Sequence, residues 1–288
     1  MQELHKKLIE VMDVFHAFCK EQGLTYYMLG GTMLGAYRHQ GFIPWDDDID
    51  IGMPRADYEK LLAMKENIPD GYGLRHHRLE SGIPYAFTHF EDVNTTYIEQ
   101  RRSKDTYVGG VYLEIFPLDT APSGKLARLL KSYRVRYYKR ILYGLILDYN
   151  QKKRTFPKSL IIKAIRLFFD MDKITKRLDK CIRKEEGISG IYSNLLGHWG
   201  MKEDVSKEIF GTPKEYVFAN RKFYGVAKPE QYLTCLYGKN YMIPPSDAEK
   251  EAGKHPAAYM NLEVPYMLYK KRGCKKTAIK RSYGNAER

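Results

Sequence analysis

The sequence has few of the features that mark secreted or membrane-spanning chains. Its four cysteines, among 288 residues, lie far apart and form no C-x-x-C pair, which excludes a zinc ribbon and a disulfide scaffold. No apolar run approaches the roughly 18 residues of a membrane-spanning helix, and the first residues contain no apolar segment typical of a signal peptide. We therefore expect a cytoplasmic protein in a reducing compartment.

Proline is scarce as well, with 13 residues beside 23 glycines, which excludes collagen and low-complexity disorder. The remaining composition, 43% hydrophobic and 29% charged, is that of a globular protein. A chain of this length can bury roughly 75% of the surface that its unfolded form exposes. The sequence therefore predicts a folded protein with a sizeable core.

Acidic residues are nearly missing from one stretch. Residues 125–184 hold 19 Lys or Arg but only four Asp and no Glu, so the whole formal charge of +13 comes from this part. Its apolar residues recur on one helical face. They are Leu126, Leu129, Leu130, Tyr133, Tyr137 and Ile141. Two interpretations stay open: a helical segment with a solvated basic face, or a surface that meets anionic lipid head groups or an anionic glycan carrier.

Hydrophobic periodicity predicts a succession of helices and strands in the first 120 residues. We expect helices over 4–19, 32–39 and 56–64, and strands over 26–29, 49–53, 85–90 and 110–116. The glycine pair before residue 32 predicts a tight turn between the first strand and its helix.

Four carboxylates lie within five residues at the start of the strand predicted over 49–53. Asp46, Asp47, Asp48 and Asp50 would repel one another unless a cation offsets the charge. On a strand, Asp48 and Asp50 point to the same side about 7 Å apart, so both can reach one hard divalent ion. The alternative is an acidic turn that caps the following element.

Two further segments favour the metal site. Gly30, Gly31 and Thr32 form a turn that opens a helix, where backbone N–H groups can hold a phosphate, although a plain tight turn is the alternative. Glu114 lies on a strand whose alternate residues are apolar, and an inward carboxylate is unfavourable there unless it is paired or binds a metal. Three carboxylates and a phosphate-binding turn are typical of a two-metal phosphoryl or nucleotidyl transfer site.

The run that contains these residues resembles the signature of the LicD family, whose members transfer phosphocholine from CDP-choline to cell-surface glycans; the related fukutins transfer ribitol phosphate. The run, from Leu29 to Arg55, reads LGGTMLGAYRHQGFIPWDDDIDIGMPR. The similarity continues through Tyr112 to Asp119 and, more loosely, through Tyr232 to Pro245. The resemblance implies a mixed α/β, nucleotidyltransferase-like fold with a sheet flanked by helices. We expect a catalytic core over 1–122, a basic helical subdomain over 123–190, and a C-terminal segment over 191–288 that packs back on the core and ends in a basic tail.

The resemblance also implies roles for individual residues. It makes Gly30, Gly31 and Thr32 the phosphate turn. It makes Asp48, Asp50 and Glu114 the catalytic carboxylates that ligate magnesium, with Asp47 as a further ligand. Two Mg²⁺ ions are expected, with Mn²⁺ as a possible substitute. The family often has His-Ile-Asp-Ile-Phe-Pro where this chain has Tyr112 to Pro117, and a basic residue, usually Lys, where it has His89.

Basic and aromatic residues near the acidic strand suggest contacts to the donor. Arg38, His39 and Arg55 flank the strand and could hold donor phosphates, or they could compensate the charge of Asp46 and Asp47. Trp45 and the 24 tyrosines would suit a box around a quaternary ammonium group, or else they pack in the core.

The reaction implied is magnesium-dependent transfer of a phospho-substituent from a CDP-linked donor to a sugar hydroxyl of a bacterial surface glycan, such as lipopolysaccharide, teichoic acid or capsule, with release of CMP. Phosphocholine, phosphoethanolamine, ribitol phosphate and glycerol phosphate all stay open as the group transferred. The acceptor is expected on a lipid-linked glycan, with peripheral contact to an anionic membrane and no nucleic-acid partner. Two alternatives are nucleotide addition to RNA or a small molecule, and a non-catalytic glycan- or lipid-binding protein.

Overall fold

A long amphipathic helix opens the fold, as its apolar spacing predicts. This helix, α1 (Gln2–Glu21), buries one face against the sheet and ends before Gly23, which takes a positive φ of 63°. The computed structural model describes residues 1–99, 108–146, 156–183, 189–246 and 257–271. The predicted basic tail at 272–288 lies outside these residues. Among the described residues no helix has both the length and the apolar character needed to cross a membrane.

A mixed, twisted sheet forms the centre of the molecule. Its first strands and the helices between them are β1 (Tyr27–Met28), α2 (Gly30–His39), β2 (Asp50–Pro54), α3 (Arg55–Ala63), β3 (Tyr72–Arg75), β4 (Thr88–Glu99) and β5 (Gly109–Thr120). The main path runs β1-β2-β5-β4, and β3 pairs with the outer edge of β4. The pair β2 and β5 is parallel, while its neighbours pair antiparallel. The expected mixed α/β, nucleotidyltransferase-like fold is confirmed.

Three helices follow the sheet strands in the basic part of the chain. They are α4 (Lys125–Ile146), α5 (Phe156–Phe168) and α6 (Met171–Arg183). Their inner side chains, such as Val135, Ile141 and Leu178, belong to the same continuous hydrophobic core as the sheet. Helix α4 turns most of its apolar stripe outward, because Leu126, Leu130 and Tyr137 are more than half exposed. An apolar stripe normally faces the core, so the structure reverses the usual orientation here.

The remaining chain returns to the sheet. It comprises β6 (Ile191–Ser193), β7 (Asp204–Ser206), α7 (Lys207–Phe210), the hairpin of β8 (Lys214–Phe218) and β9 (Arg221–Gly225), α8 (Pro229–Tyr237), β10 (Ala257–Asn261) and α9 (Tyr266–Lys271). Strand β6 extends the end of β5, and β10 pairs with β4. Helix α8 packs on α2 and brings Tyr232 and Tyr237 beside the first turn of that helix.

Candidate active site

The acidic residues meet at one end of the parallel strand pair. Asp50 begins β2 and stands opposite Glu114 of β5 in the sheet register. Asp48 precedes β2, and the amide of Glu114 donates to the carbonyl of Ile49 at 3.0 Å. All three carboxylates line one cleft of about 270 Å³, together with Gly30 and Gly31. The structure therefore brings the predicted catalytic carboxylates and the predicted phosphate turn together.

The charge in this cleft is dense. Carboxylate oxygens of Asp46, Asp47 and Asp48 all lie within 4.8 Å of one another. The pKa of Asp50 is raised well above its usual range, first by burial and then by the negative charges of Asp48 and Glu114. Oxygen atoms are the ligands that Mg²⁺ and Mn²⁺ take in proteins, and a bound cation would relieve this repulsion. These residues therefore fit a hard divalent cation.

The first turn of α2 is built to approach the carboxylates closely. Gly30 has a positive φ of 46°, which side chains rarely tolerate, and its N–H donates to the hydroxyl of Tyr232 at 3.0 Å. A Cβ on Gly31 would lie 2.5 Å from Oδ2 of Asp46, so a larger residue there would displace the Asp46 carboxylate. Thr32 Oγ1 accepts the backbone N–H of Asp50 at 2.8 Å. The hydroxyl of Thr32 thus joins α2 to the acidic strand.

The three basic side chains that the sequence suggested as ligands of donor phosphates lie away from the acidic cluster. Arg38 and His39 are in the last turn of α2, about 13 Å along the helix from Gly30. The Arg38 guanidinium donates to Nε2 of His39 and to the carbonyl of Tyr241, both at 2.9 Å. The structure does not bring this pair to the acidic cluster.

Arg55 follows the opposite end of β2 from Asp50. Its guanidinium donates two hydrogen bonds to the Asp119 carboxylate, at 2.6 and 2.8 Å, and one to Glu59 at 3.1 Å. Such a bidentate pair fixes the guanidinium plane. Arg55 therefore compensates carboxylates at the far end of the sheet instead of Asp46 and Asp47.

His89 of β4 supports Glu114 from behind. The two residues are register partners, and Nε2 of His89 lies 3.7 Å from Oε1 of Glu114. The imidazole is stacked between the rings of Tyr85 and Tyr112, at centroid distances of 4.3 and 3.7 Å, and its Nδ1 is 3.0 Å from the Tyr85 hydroxyl. His89, where the resemblance implies a basic residue, is therefore a buried neighbour of Glu114.

Lys139 also lines the cleft, a position that no sequence pattern indicated. Its ammonium group donates to the carbonyls of Leu196 and Gly197, both at 2.7 Å, and to that of Leu195 at 3.5 Å. Because α4 carries many basic residues, nothing in the sequence separates Lys139 from the others. The contact ties the basic helical segment to the loop that closes one side of the cleft.

Glu203 is the second cleft residue that the sequence did not reveal. It is buried, and it accepts hydrogen bonds from Nδ2 of Asn194 at 2.7 Å and from the N–H of Trp199 at 2.8 Å. Burial raises the pKa of Glu203 to about 7. The carboxylate shapes the loop from Asn194 to Trp199, and the Trp199 ring meets Tyr237 edge to face at 5.2 Å.

A second cavity of about 260 Å³ adjoins the cleft, and Asp48 and Glu114 line both. Its other walls combine aromatic and acidic side chains. They include Phe87, Tyr97, Tyr112, Tyr143, Asp47 and Glu99. Trp45 packs against the core. Rings and carboxylates together form surroundings that attract a cation.

Comparison with known proteins agrees with this architecture. A family model described as LicD/FKTN/FKRP, nucleotidyltransferase domain, matches residues 23–161. The chain is 27% identical to the lipopolysaccharide cholinephosphotransferase LicD of Haemophilus influenzae over 266 residues, which cover 87% of this chain and 94% of the relative.

Shorter matches link the chain to eukaryotic relatives. It is 30% identical to the ribitol-5-phosphate transferase FKTN of Mus musculus over 92 residues, 31% of this chain and 19% of the relative. It is 49% identical to the human ribitol 5-phosphate transferase FKRP over 35 residues, 12% of this chain and 7% of the relative. Residues 23–161 therefore form a LicD/FKTN/FKRP nucleotidyltransferase domain, and the chain is a phosphotransferase.

Proposed function

We propose that this protein transfers phosphocholine, or a related phospho-substituent, from a CDP-linked donor to a sugar hydroxyl of a surface glycan, with a divalent cation and with release of CMP. The convergence of Asp48, Asp50 and Glu114 beside the first turn of α2 carries the proposal. The relatives, a cholinephosphotransferase and ribitol-phosphate transferases, support the reaction class.

Each part of the cleft has a proposed task. Asp48, Asp50 and Glu114, with Asp47 beside them, would hold Mg²⁺, which when bound neutralises the charge of the diphosphate and of the departing CMP. The N-terminal turn of α2 would bind a donor phosphate through its N–H groups. Glu114, held by its neighbour His89, would orient or deprotonate the acceptor hydroxyl. Full turnover by Glu114→Gln would contradict that last assignment.

The adjoining cavity favours a cationic substituent. A choline group attached to the donor phosphate could extend from the cleft past Asp48 into the ring-lined cavity, which Tyr112 and Tyr143 border. Aromatic faces and carboxylates bind quaternary ammonium groups and give a neutral alditol no such attraction. Among the possible donors, CDP-choline therefore fits these walls better than CDP-ribitol or CDP-glycerol.

The test measures CMP release from CDP-choline, CDP-ethanolamine, CDP-ribitol and CDP-glycerol, each with Mg²⁺ and a surface-glycan extract. We expect release from CDP-choline, with a loss of at least about 100-fold in Asp50→Asn. Asp13→Asn is the matched control, because Asp13 is an outer carboxylate of α1 paired with Arg221. Equal release by Asp50→Asn, or no release from any donor with a verified acceptor, would contradict the proposal.

We also propose that α4 and α5 contact an anionic membrane, where a lipid-linked acceptor would be found. Ten of the nineteen large apolar side chains exposed in the described residues lie on these two helices. Leu167 and Phe168 are 77% and 76% exposed, and the same stretch carries the chain's basic excess. Apolar insertion combined with basic charge is the usual basis of peripheral binding.

Vesicle sedimentation tests this contact. Vesicles with phosphatidylglycerol should capture the protein at low salt and release it at high salt, whereas pure phosphatidylcholine vesicles should capture little. Leu167→Ser with Phe168→Ser should reduce capture, while Ile243→Ser, at a residue that is 67% exposed elsewhere, should not. Equal capture by both kinds of vesicle would contradict the proposal.

A further inference from the structure

A second cluster of metal-binding residue types lies away from the cleft. His76 and His77 follow β3, and Asp179 lies on α6, so the cluster joins the sheet to the basic helical segment. One ligand atom from each of the three residues lies within 4.8 Å of the other two. All three side chains are buried, with His76 and Asp179 at no more than 1% exposure.

Two buried polar atoms of this cluster have no hydrogen-bond partner, and they are Nδ1 of His77 and Oδ1 of Asp179. The His76 ring contacts the backbone of Ala86, and Nε2 of His77 faces the Asp179 carboxylate. Leaving a buried polar group without a partner costs about 1–3 kcal/mol, and native proteins rarely collect several in one place. The neighbouring basic groups contact the other carboxylate oxygen of Asp179. This atom, Oδ2, lies 2.9 Å from Arg183, 3.5 Å from His77 Nε2 and 4.0 Å from Arg78.

We propose that His76, His77 and Asp179 form a second metal site, which binds one zinc ion and joins the loop after β3 to α6. Two imidazoles and one carboxylate form a donor set that zinc prefers and Mg²⁺ does not. Three atoms bonded to one zinc ion lie about 3.3 Å apart, so the side chains need to close by at most about 1.5 Å. The ion would bond to one ligand atom of each residue, in a cluster where His77 and Asp179 both have an atom without a partner.

A zinc ion can reach the cluster from the surface, and the His76 ring can rearrange its proton to bind it. A surface cavity of about 220 Å³ opens beside His77, between the loop and Asp172 and Lys176 of α6, and could admit an ion and a water as the fourth ligand. Nδ1 of His76 accepts the N–H of Arg78 at 3.2 Å, so the ring proton is on Nε2. Binding through Nε2 moves that proton to Nδ1 and gives up this long hydrogen bond.

The ion would act on structure and not on the transfer reaction. Beyond the cluster, Arg78 donates to both oxygens of Glu59 on α3, at 2.8 and 3.1 Å. A zinc ion at Asp179 would therefore fix α6 to a network that reaches α3 under the sheet. Its loss should loosen α6 and leave the acidic cleft intact.

The test measures the zinc content of the full-length Asp50→Asn variant after dialysis against a weak chelator. The Asp50→Asn substitution is included because it weakens the acidic cleft as a competing metal site. We expect about one zinc per chain, loss of most of it in His77→Gln and in Asp179→Asn, and retention in the control His16→Gln. His16 is a suitable control because it lies on α1 and its Nδ1 hydrogen-bonds with the Tyr26 hydroxyl, outside the cluster. Added zinc should raise the thermal midpoint of the parent by several degrees and leave that of Asp179→Asn unchanged.

Cobalt gives a readout that needs no variant at the cluster. Co²⁺ added to the Asp50→Asn chain should produce visible absorption bands of a four- or five-coordinate site, and zinc should abolish them. Absence of both zinc retention and these bands, in a chain folded by circular dichroism, would overturn the proposal and leave a buried His77–Asp179 ion pair. Neither readout involves CMP release, so this result is independent of the outcome for the transfer reaction.

Discussion

Single contacts hold the acidic strand in place, and the hydroxyl of Thr32 is the most direct of them. It accepts the N–H of Asp50, so the backbone of this carboxylate is fixed to α2. The sequence placed Thr32 in a phosphate turn, and the structure shows that its hydroxyl is already engaged within the protein. Thr32 is therefore a positioning residue for Asp50.

Thr32→Val should lower both stability and turnover. The variant keeps the shape of the side chain but leaves the partly buried N–H of Asp50 without this acceptor, which costs about 1–3 kcal/mol of the free energy of unfolding. Thr32→Ser keeps the oxygen and should stay close to the parent. Urea unfolding and CMP release measure the two effects, and a valine variant as stable and active as the serine variant would contradict this role.

Glu203 should make the stability of the protein depend on pH. Because burial raises the pKa of Glu203 to about 7 from 4.5, the folded state holds its proton more tightly than the unfolded state. Stability is then lost as pH rises from about 4.5 to about 7, and the loss persists above that range.

Glu203→Gln should remove this loss. We expect the variant to exceed the parent by on the order of 1–3 kcal/mol in the free energy of unfolding at pH 8, and to match it at pH 5. Urea unfolding in EDTA at both pH values tests this, since EDTA removes cations that would stabilise the ionised carboxylate. A constant difference between the two proteins across this range would count against the assignment.

At the scale of elements, α4 decides how the basic segment meets the cleft. The helix itself was predictable from its periodicity, but its orientation was not. Val135 and Ile141 face the core, whereas Leu126 and Leu130 face outward. This orientation brings Lys139 to the carbonyls of Leu196 and Gly197, within the loop from Asn194 to Trp199.

Lys139→Met should loosen that loop. The methionine keeps most of the apolar stem but removes the charged donor, and hydrogen bonds to charged groups contribute about 1.5–3 kcal/mol each. We expect faster hydrogen exchange over residues 194–203 and reduced turnover. Arg140→Met, at the exposed neighbouring position, is the control. Equal exchange in the two variants would show that Lys139 does not hold the loop.

At the scale of the whole molecule, the helical segment and the sheet share one core. Leu178 of α6 and Ile115 of β5 belong to the same buried cluster, and β6 extends β5 immediately after this segment. The sequence predicts a basic helical subdomain over 123–190. A continuous core predicts that the segment and the sheet unfold together.

Leu178→Ala tests this coupling. Leu178 is 2% exposed, so the substitution should reduce the free energy of unfolding by about 2–5 kcal/mol and keep a single transition for both sheet and helix probes. Leu167→Ala, at a residue that is 77% exposed, should change it by no more than about 0.5 kcal/mol. Two separate transitions, with only the helical one shifted, would show independent subdomains.

The sequence by itself determined the elements and the chemistry of the acidic strand. Local periodicity and turn residues are enough to place α1, α2 and β2, and the density of carboxylates around Asp48 indicates a cation without any knowledge of the fold. The sequence also indicated Glu114, but only the tertiary structure decided how the distant groups are arranged around the acidic strand. The parallel register places Glu114 opposite Asp50, α4 supplies Lys139, and the position of Arg55 at the far end of β2 separates it from the cleft. These outcomes depend on packing between elements far apart in the chain, and local sequence patterns carry no information on such packing.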